Sequence, residues 1–314
     1  MRLICQSPSL MIRVIFLTLM TGAVLAALSG CSPLKLLNTL NPTGPVDHVY
    51  GVAYGVAYGQ DPRNTLDVYT PQAKPANAPV VVFFYGGSWN TGSKADYAFV
   101  GEALAARGMV VVIADYRLYP QVRYPSFLED SAKALAWAHK HAKTYGGDPD
   151  RLYVMGHSAG AYNAAMLALD PRWLAREGLS PSILSGWIGL AGPYDFLPIE
   201  NADVKPVFFF PNSPPDSQPI NHVSSSAPPA LLMASNTDSL VNPKRNTGGL
   251  ARALREAGVP VRDLYFSRTN HGTLVGAFAK LLSGLAPVVD EVDMFVNHTP
   301  QRLAEKNRAA LKTQ

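Results

Sequence analysis

The chain has 314 residues, 47% of them hydrophobic and 16% charged, enough apolar material for one sizeable core. Its formal net charge is +4. Two of the positive charges, Arg2 and Arg13, sit in the N-terminal leader, so the remainder is close to neutral; with no basic run and no aromatics interleaved with Lys and Arg, nothing argues for a nucleic-acid partner. The 2 cysteines, Cys5 and Cys31, both lie in or at the end of that leader, which leaves the domain beyond without a thiol for a disulfide, a metal cluster or a nucleophile.

In chain order, Arg2 and Arg13 precede an apolar run, Val14 to Ala27. The run falls short of the roughly twenty residues a bilayer span needs and fits the core of a signal peptide over residues 1–30. Residues 31–47 read as a tether, and residues 48–298 as one domain of alternating strands and helices. "HVYGVAY" and "NTLDVYT" are early strands, and "APVVVFFYGG" and "MVVVIADY" are apolar runs suited to strands buried on both faces. Helices are expected at Asp96–Arg107 and Ser126–Tyr145. A strand, "RLYVMG", then precedes a helix at Ala159–Leu169, and "SGWIGLAG" and "PALLMAS" are further strands. Pro243–Ala257 is expected to be helical, "VRDLYFS" a strand, and Gly272–Leu285 helical. Such alternation predicts an α/β fold with a mostly parallel central sheet and helices on both faces. Residues 196–229, rich in Pro, Ser and Asn, interrupt the rhythm as a short cap-like insertion; its Phe208, Phe209 and Phe210 either line an apolar substrate site or pin a long loop to the core. Residues 299–314 form a polar tail.

The chemistry concentrates at Gly156-His157-Ser158-Ala159-Gly160, a G-x-S-x-G between strand and helix. Small residues at minus two and plus two let strand and helix approach. Ser158 at the apex is then pushed out as a nucleophile, and the Ala159 N–H faces the oxygen that turns negative during acyl transfer, at a helix N-terminus. In chains with this elbow an acid and then a His follow. His48 lies far upstream, His157 is placed pointing away, His139 and His141 sit on a surface helix, His222 in the insertion and His298 at the tail. His271, just after a strand in "SRTNHGTLVG", is the expected base. Asp238, on the loop after "ALLMAS", is the expected acid, with Asp195 in "GPYD" as alternative. Gly86 and Gly87, after the third strand, are expected to complete the oxyanion hole with Ala159. No metal or cofactor is expected.

With these residues in place the chain resembles an α/β-hydrolase of the carboxylesterase branch that includes hormone-sensitive-lipase-like, feruloyl-esterase-like and kynurenine-formamidase-like enzymes. The matching stretches are "YGGSW", "ADYRLYP", "YPSFLEDSAKALAW", "GGDPDRLYVMGHSAGA", "APPALLMASNTDSLVNP" and "NHGTL". The resemblance implies a serine esterase acting on small-molecule esters, with Ser158, Asp238 and His271 as triad. An amidase or arylformamidase, or a non-catalytic binding protein of the same fold, is the alternative. One departure is Tyr85, where the family usually has the His that braces the oxyanion loop; its hydroxyl is the group available to do so instead. Separately, Leu28-Ser29-Gly30-Cys31 resembles the lipobox of bacterial lipoproteins. That implies diacylglyceryl attachment at Cys31 and an anchor in the cell envelope, and Ser32, rather than Asp, at the next position favours the periplasmic side of the outer membrane.

Overall fold

The computed structural model describes residues 33–41, 49–71 and 76–298. The leader, Cys31, most of the tether and the tail at 299–314 lie outside them. Helix α1 (Pro33–Leu40) precedes strands β1 (Val49–Ala57), β2 (Thr65–Pro71) and β3 (Ala78–Phe84). Next come α2 (Ala98–Ala105), β4 (Val110–Ala114), α3 (Ser126–His141), β5 (Gly147–His157) and α4 (Ala159–Leu169). The remainder is α5 (Pro171–Ala175), β6 (Leu184–Leu190), β7 (Ala230–Ser235), α6 (Gly249–Glu256), β8 (Val261–Phe266), α7 (His271–Gly276) and α8 (Val288–Asp293). The strands form one sheet of order β1-β2-β4-β3-β5-β6-β7-β8. β1 and β2 are antiparallel to their neighbours, and every pairing from β4 to β8 is parallel.

The apolar runs behave as their composition requires. Every residue of β3, β4 and β7 is buried, because helices cover both faces of the parallel part. α4 is buried along its whole length, packed between the sheet and its neighbours, which its small side chains permit. One buried charge is paired on this side: Asp130 of α3 is fully buried and takes a forked pair of hydrogen bonds from the partly exposed Arg117 at 2.7 and 2.8 Å.

Two expectations of extent are corrected. The helix expected over Gly272–Leu285 stops at Gly276, and only a short turn at Ser283–Leu285 follows. The stretch expected as one helix from Asp96 opens instead with a tight 3₁₀ turn, Lys94–Tyr97, capped by the Ser93 hydroxyl, before α2 begins. The insertion at 196–229 holds turns and two short 3₁₀ segments, Pro215–Ser217 and Pro219–His222. Phe208 pins it to the core by packing on Trp89, Tyr124, Phe127, Tyr162 and Phe196, whereas Phe209 and Phe210 are exposed, over Arg123 and Lys205.

Candidate active site

Ser158 stands between β5 and α4 with φ +54° and ψ −121°, a conformation that costs a non-glycine residue energy and that the surrounding structure must enforce. The enforcement is steric. A Cβ on Gly160 would lie 2.0 Å from the Phe84 carbonyl oxygen, and one on Gly156 would lie 2.1 Å from the Gly160 carbonyl oxygen. Strand, turn and helix thus touch backbone to backbone, and the Ser158 N–H donates to the Leu190 carbonyl at 2.8 Å.

Three loops at the C-terminal ends of β5, β7 and β8 bring the expected residues together. His271 Nε2 lies 2.8 Å from Ser158 Oγ, and His271 Nδ1 lies 2.7 Å from Asp238 Oδ2. With the Nδ1–H donating to the carboxylate, Nε2 keeps a free lone pair for the Ser158 hydroxyl proton. The other oxygen of Asp238 accepts the N–H groups of Leu240 and Val241, each at 2.9 Å. Burial raises the Asp238 carboxyl, but the bond and charge of His271 and these two amides outweigh it and hold the carboxyl below its usual value. Asp195, the alternative acid, is committed elsewhere, in a salt bridge to Arg245 at 2.9 Å.

The His271 loop is tied at several points. Asn270 and Thr273 form a reciprocal cap at the start of α7. The Ser235 and Thr237 hydroxyls both donate to the Thr269 carbonyl. His157 contributes the tie that sequence reading missed: its Nε2 lies 2.9 Å from the carbonyl oxygen of His271 itself. Burial, and then the proximity of His271, push His157 down to about 3, so the ring is neutral and its Nε2–H donates. It is no member of the triad, as expected, but it does not point away; it holds the base's backbone. The only sequence signal was an imidazole adjacent to the nucleophile, and nothing local says what it reaches.

Gly87 has φ +129°, and a Cβ there would lie 2.3 Å from the Thr91 carbonyl oxygen, so the turn after β3 admits only glycine. Gly86 sits directly against the elbow: a Cβ there would lie 2.9 Å from the Ser158 Cβ. The Ala159 N–H opens α4, where no intrahelical acceptor exists for it. Tyr85 braces this loop. Its hydroxyl donates to Asp115 Oδ1 at 2.7 Å and accepts from Arg63 at 2.8 Å, and its ring lies stacked between Tyr97 and Tyr116. The same Asp115 oxygen takes the Lys94 N–H, and Arg63 also reaches the Gly92 carbonyl, so both ends of the loop are held by one network. Trp89 anchors the middle through its indole N–H to Asn163.

Two cavities open on Ser158. One, of about 420 Å³, is lined by Trp89, Asp195, Glu200, Asn242 and Arg245, with part of the insertion as wall; the other, of about 760 Å³, runs toward α1. None of Phe208, Phe209 and Phe210 lines either.

A parallel sheet with a strained serine elbow, and an acid and a histidine on the next strand ends, defines the α/β-hydrolase class. The BD-FAE family model matches residues 66–204. Among curated relatives, isoprenylcysteine alpha-carbonyl methylesterase ICME of Arabidopsis thaliana is 29% identical, the match covering 71% of this chain and 57% of the relative. Esterase LipC of Mycobacterium tuberculosis is also 29% identical, over 80% of this chain and 66% of the relative. The chain thus spans between about half and two thirds of the length of these relatives. Among solved structures, an esterase from Pyrobaculum calidifontis superposes with a TM-score of 0.68 at 23% identity, covering 84% of this chain and 87% of that one. A carbohydrate esterase from gut microbiota gives a TM-score of 0.64 at 19% identity, over 79% of this chain and 98% of that one. These likenesses show the α/β-hydrolase fold.

Proposed function

We propose that the protein hydrolyses carboxylic esters of small molecules through an acyl-enzyme on Ser158. The observation that carries this reading is the continuous chain Ser158 Oγ to His271 Nε2 at 2.8 Å and His271 Nδ1 to Asp238 at 2.7 Å, on a serine held at positive φ. His271 takes the hydroxyl proton as Ser158 Oγ attacks the ester carbon. Asp238 holds the tautomer and offsets the positive charge on the imidazolium. The carbonyl oxygen, now an anion, is met by N–H groups from Gly86, Gly87 and Ala159, such a donor being worth about 3 kcal/mol in the transition state. As the tetrahedral centre collapses, His271 returns the proton to the leaving alcohol. Water then enters by the same route and frees the acid. The esterase names of the curated relatives support the same chemistry.

The test is labelling with a fluorophosphonate and turnover of p-nitrophenyl acetate. An adduct on Ser158, absent in Ser158→Ala together with turnover, is expected; a folded protein that takes no label contradicts the reading.

We further propose that Cys31 is diacylated and that the domain is held at the cell envelope, on the periplasmic side of the outer membrane, through the leader's Leu28-Ser29-Gly30-Cys31. Metabolic labelling with an alkyne fatty acid checks it: label and membrane association are both lost in Cys31→Ser.

A further inference from the structure

The larger cavity beside Ser158 is a groove with two banks. One bank is the stretch from Gly87 to Tyr97, and the other is α7 with the turn that follows it, to Leu282. α1 closes the groove by bridging both. On one side Asn38 donates to the Ala95 carbonyl at 3.1 Å and accepts the Phe99 N–H at 3.0 Å; on the other, the Asn41 side chain accepts the Lys280 N–H at 3.0 Å. α1 turns Leu34, Leu37 and Leu40 into the groove, opposite Leu281 and Leu282. Leu37 is buried, and a Cβ on Gly276 would come within 3.4 Å of it, so the glycine is where α1 and α7 approach each other.

The mouth is unusual. Leu40, Leu240 and Leu281 are 57%, 69% and 62% exposed, and all three stand on this groove. Single exposed leucines are ordinary on a soluble surface, but three around one opening that ends at a serine nucleophile are a patch with a use. The smaller cavity differs in kind: the Asp195–Arg245 pair and the Glu200 carboxylate on its wall suit a polar leaving group.

We propose that this groove holds the acyl chain of the substrate, and that the substrates are esters of medium- to long-chain fatty acids with a small polar alcohol. On this assignment α1, which lies outside the 66–204 family match and begins two residues after Cys31, sets the acyl-chain preference. The proposal rests on Ser158 being the nucleophile. The acyl carbon is bonded to Ser158 in the intermediate, so a chain attached to it is brought to a groove that shares Ser158, His271 and Gly87 with the reaction centre.

The test is a panel of p-nitrophenyl esters from acetate to dodecanoate with the full chain. kcat/KM is expected to rise about threefold to fourfold for each methylene until the groove is filled, the factor that burial of one methylene supplies. In the double variant Leu40→Asp, Leu281→Asp, whose side chains are exposed and carry little of the fold, octanoate hydrolysis falls about tenfold while acetate changes less than twofold. Leu37→Ala gives the same pattern with a smaller loss. A flat or falling panel, equal losses on acetate and octanoate, or a length dependence seen only in alkyl acetates overturns the groove assignment. Loss of Ser158 labelling together with all turnover overturns the esterase reading itself, and this proposal with it.

Discussion

At the residue scale, the site depends on a few atoms whose protonation the fold controls. Asp238→Asn keeps the shape but removes the charge that holds His271 in the working tautomer. Its kcat on p-nitrophenyl acetate is expected to fall by about 10⁴ with little change in KM. The depressed Asp238 carboxyl contributes stability that is present above the ordinary carboxylate range and is lost as pH falls through its lower folded value. His157 acts with its own sign. Its folded value is about 3 against an ordinary 6.5, so between those pH values the unfolded chain takes a proton that the folded protein refuses. Acidification through that window therefore favours unfolding. Urea denaturation at a series of pH values is expected to show the wild type losing ground to His157→Gln from pH 6.5 downward, by at most about 1.4 kcal/mol per pH unit.

At the element scale, the elbow and the oxyanion loop are packed with no slack. A methyl at Gly160 meets the Phe84 carbonyl at 2.0 Å, so strand β3, strand β5 and helix α4 cannot all keep their places. Gly160→Ala is expected to cost about 3 kcal/mol or more in chemical denaturation and to abolish labelling of Ser158. Tyr85→Phe keeps the stacked ring but leaves Asp115 and Arg63 without the hydroxyl between them. Stability is expected to fall by about 1–2 kcal/mol. kcat is expected to fall about tenfold with KM nearly unchanged, as an oxyanion donor shifts out of line. Equal effects on both kinetic constants would place Tyr85 in general folding and not in aiming the loop.

At the scale of the whole molecule, the fold is held without a cross-link within the domain. The only 2 cysteines of the chain are Cys5 and Cys31, so no disulfide can join parts of the domain. Thermal unfolding of the protein is accordingly expected to show the same midpoint with and without reductant; a shift of several degrees would contradict this. The sheet places β5, β7 and β8 in one half, all running the same way, so that residues 158, 238 and 271 arrive at one rim. Loops at the C-terminal ends of parallel strands are free of the ladder's demands, which is why polar, strained chemistry collects there.

The strand and helix succession was readable because buried parallel strands must be continuous apolar runs and because the elbow demands tiny residues at fixed offsets. "APVVVFFYGG", "MVVVIADY" and "GHSAG" carry both signals locally, and Ser158, Asp238 and His271 could each be named from the element that precedes them. What only the tertiary structure decided are contacts between segments far apart in the chain. The hold of His157 on the backbone of His271, the Arg63–Tyr85–Asp115 brace and the closing of the groove by α1 all join positions whose separation leaves no period in the sequence. Periodicity reports which face of an element is buried; it does not report which other element it will meet there.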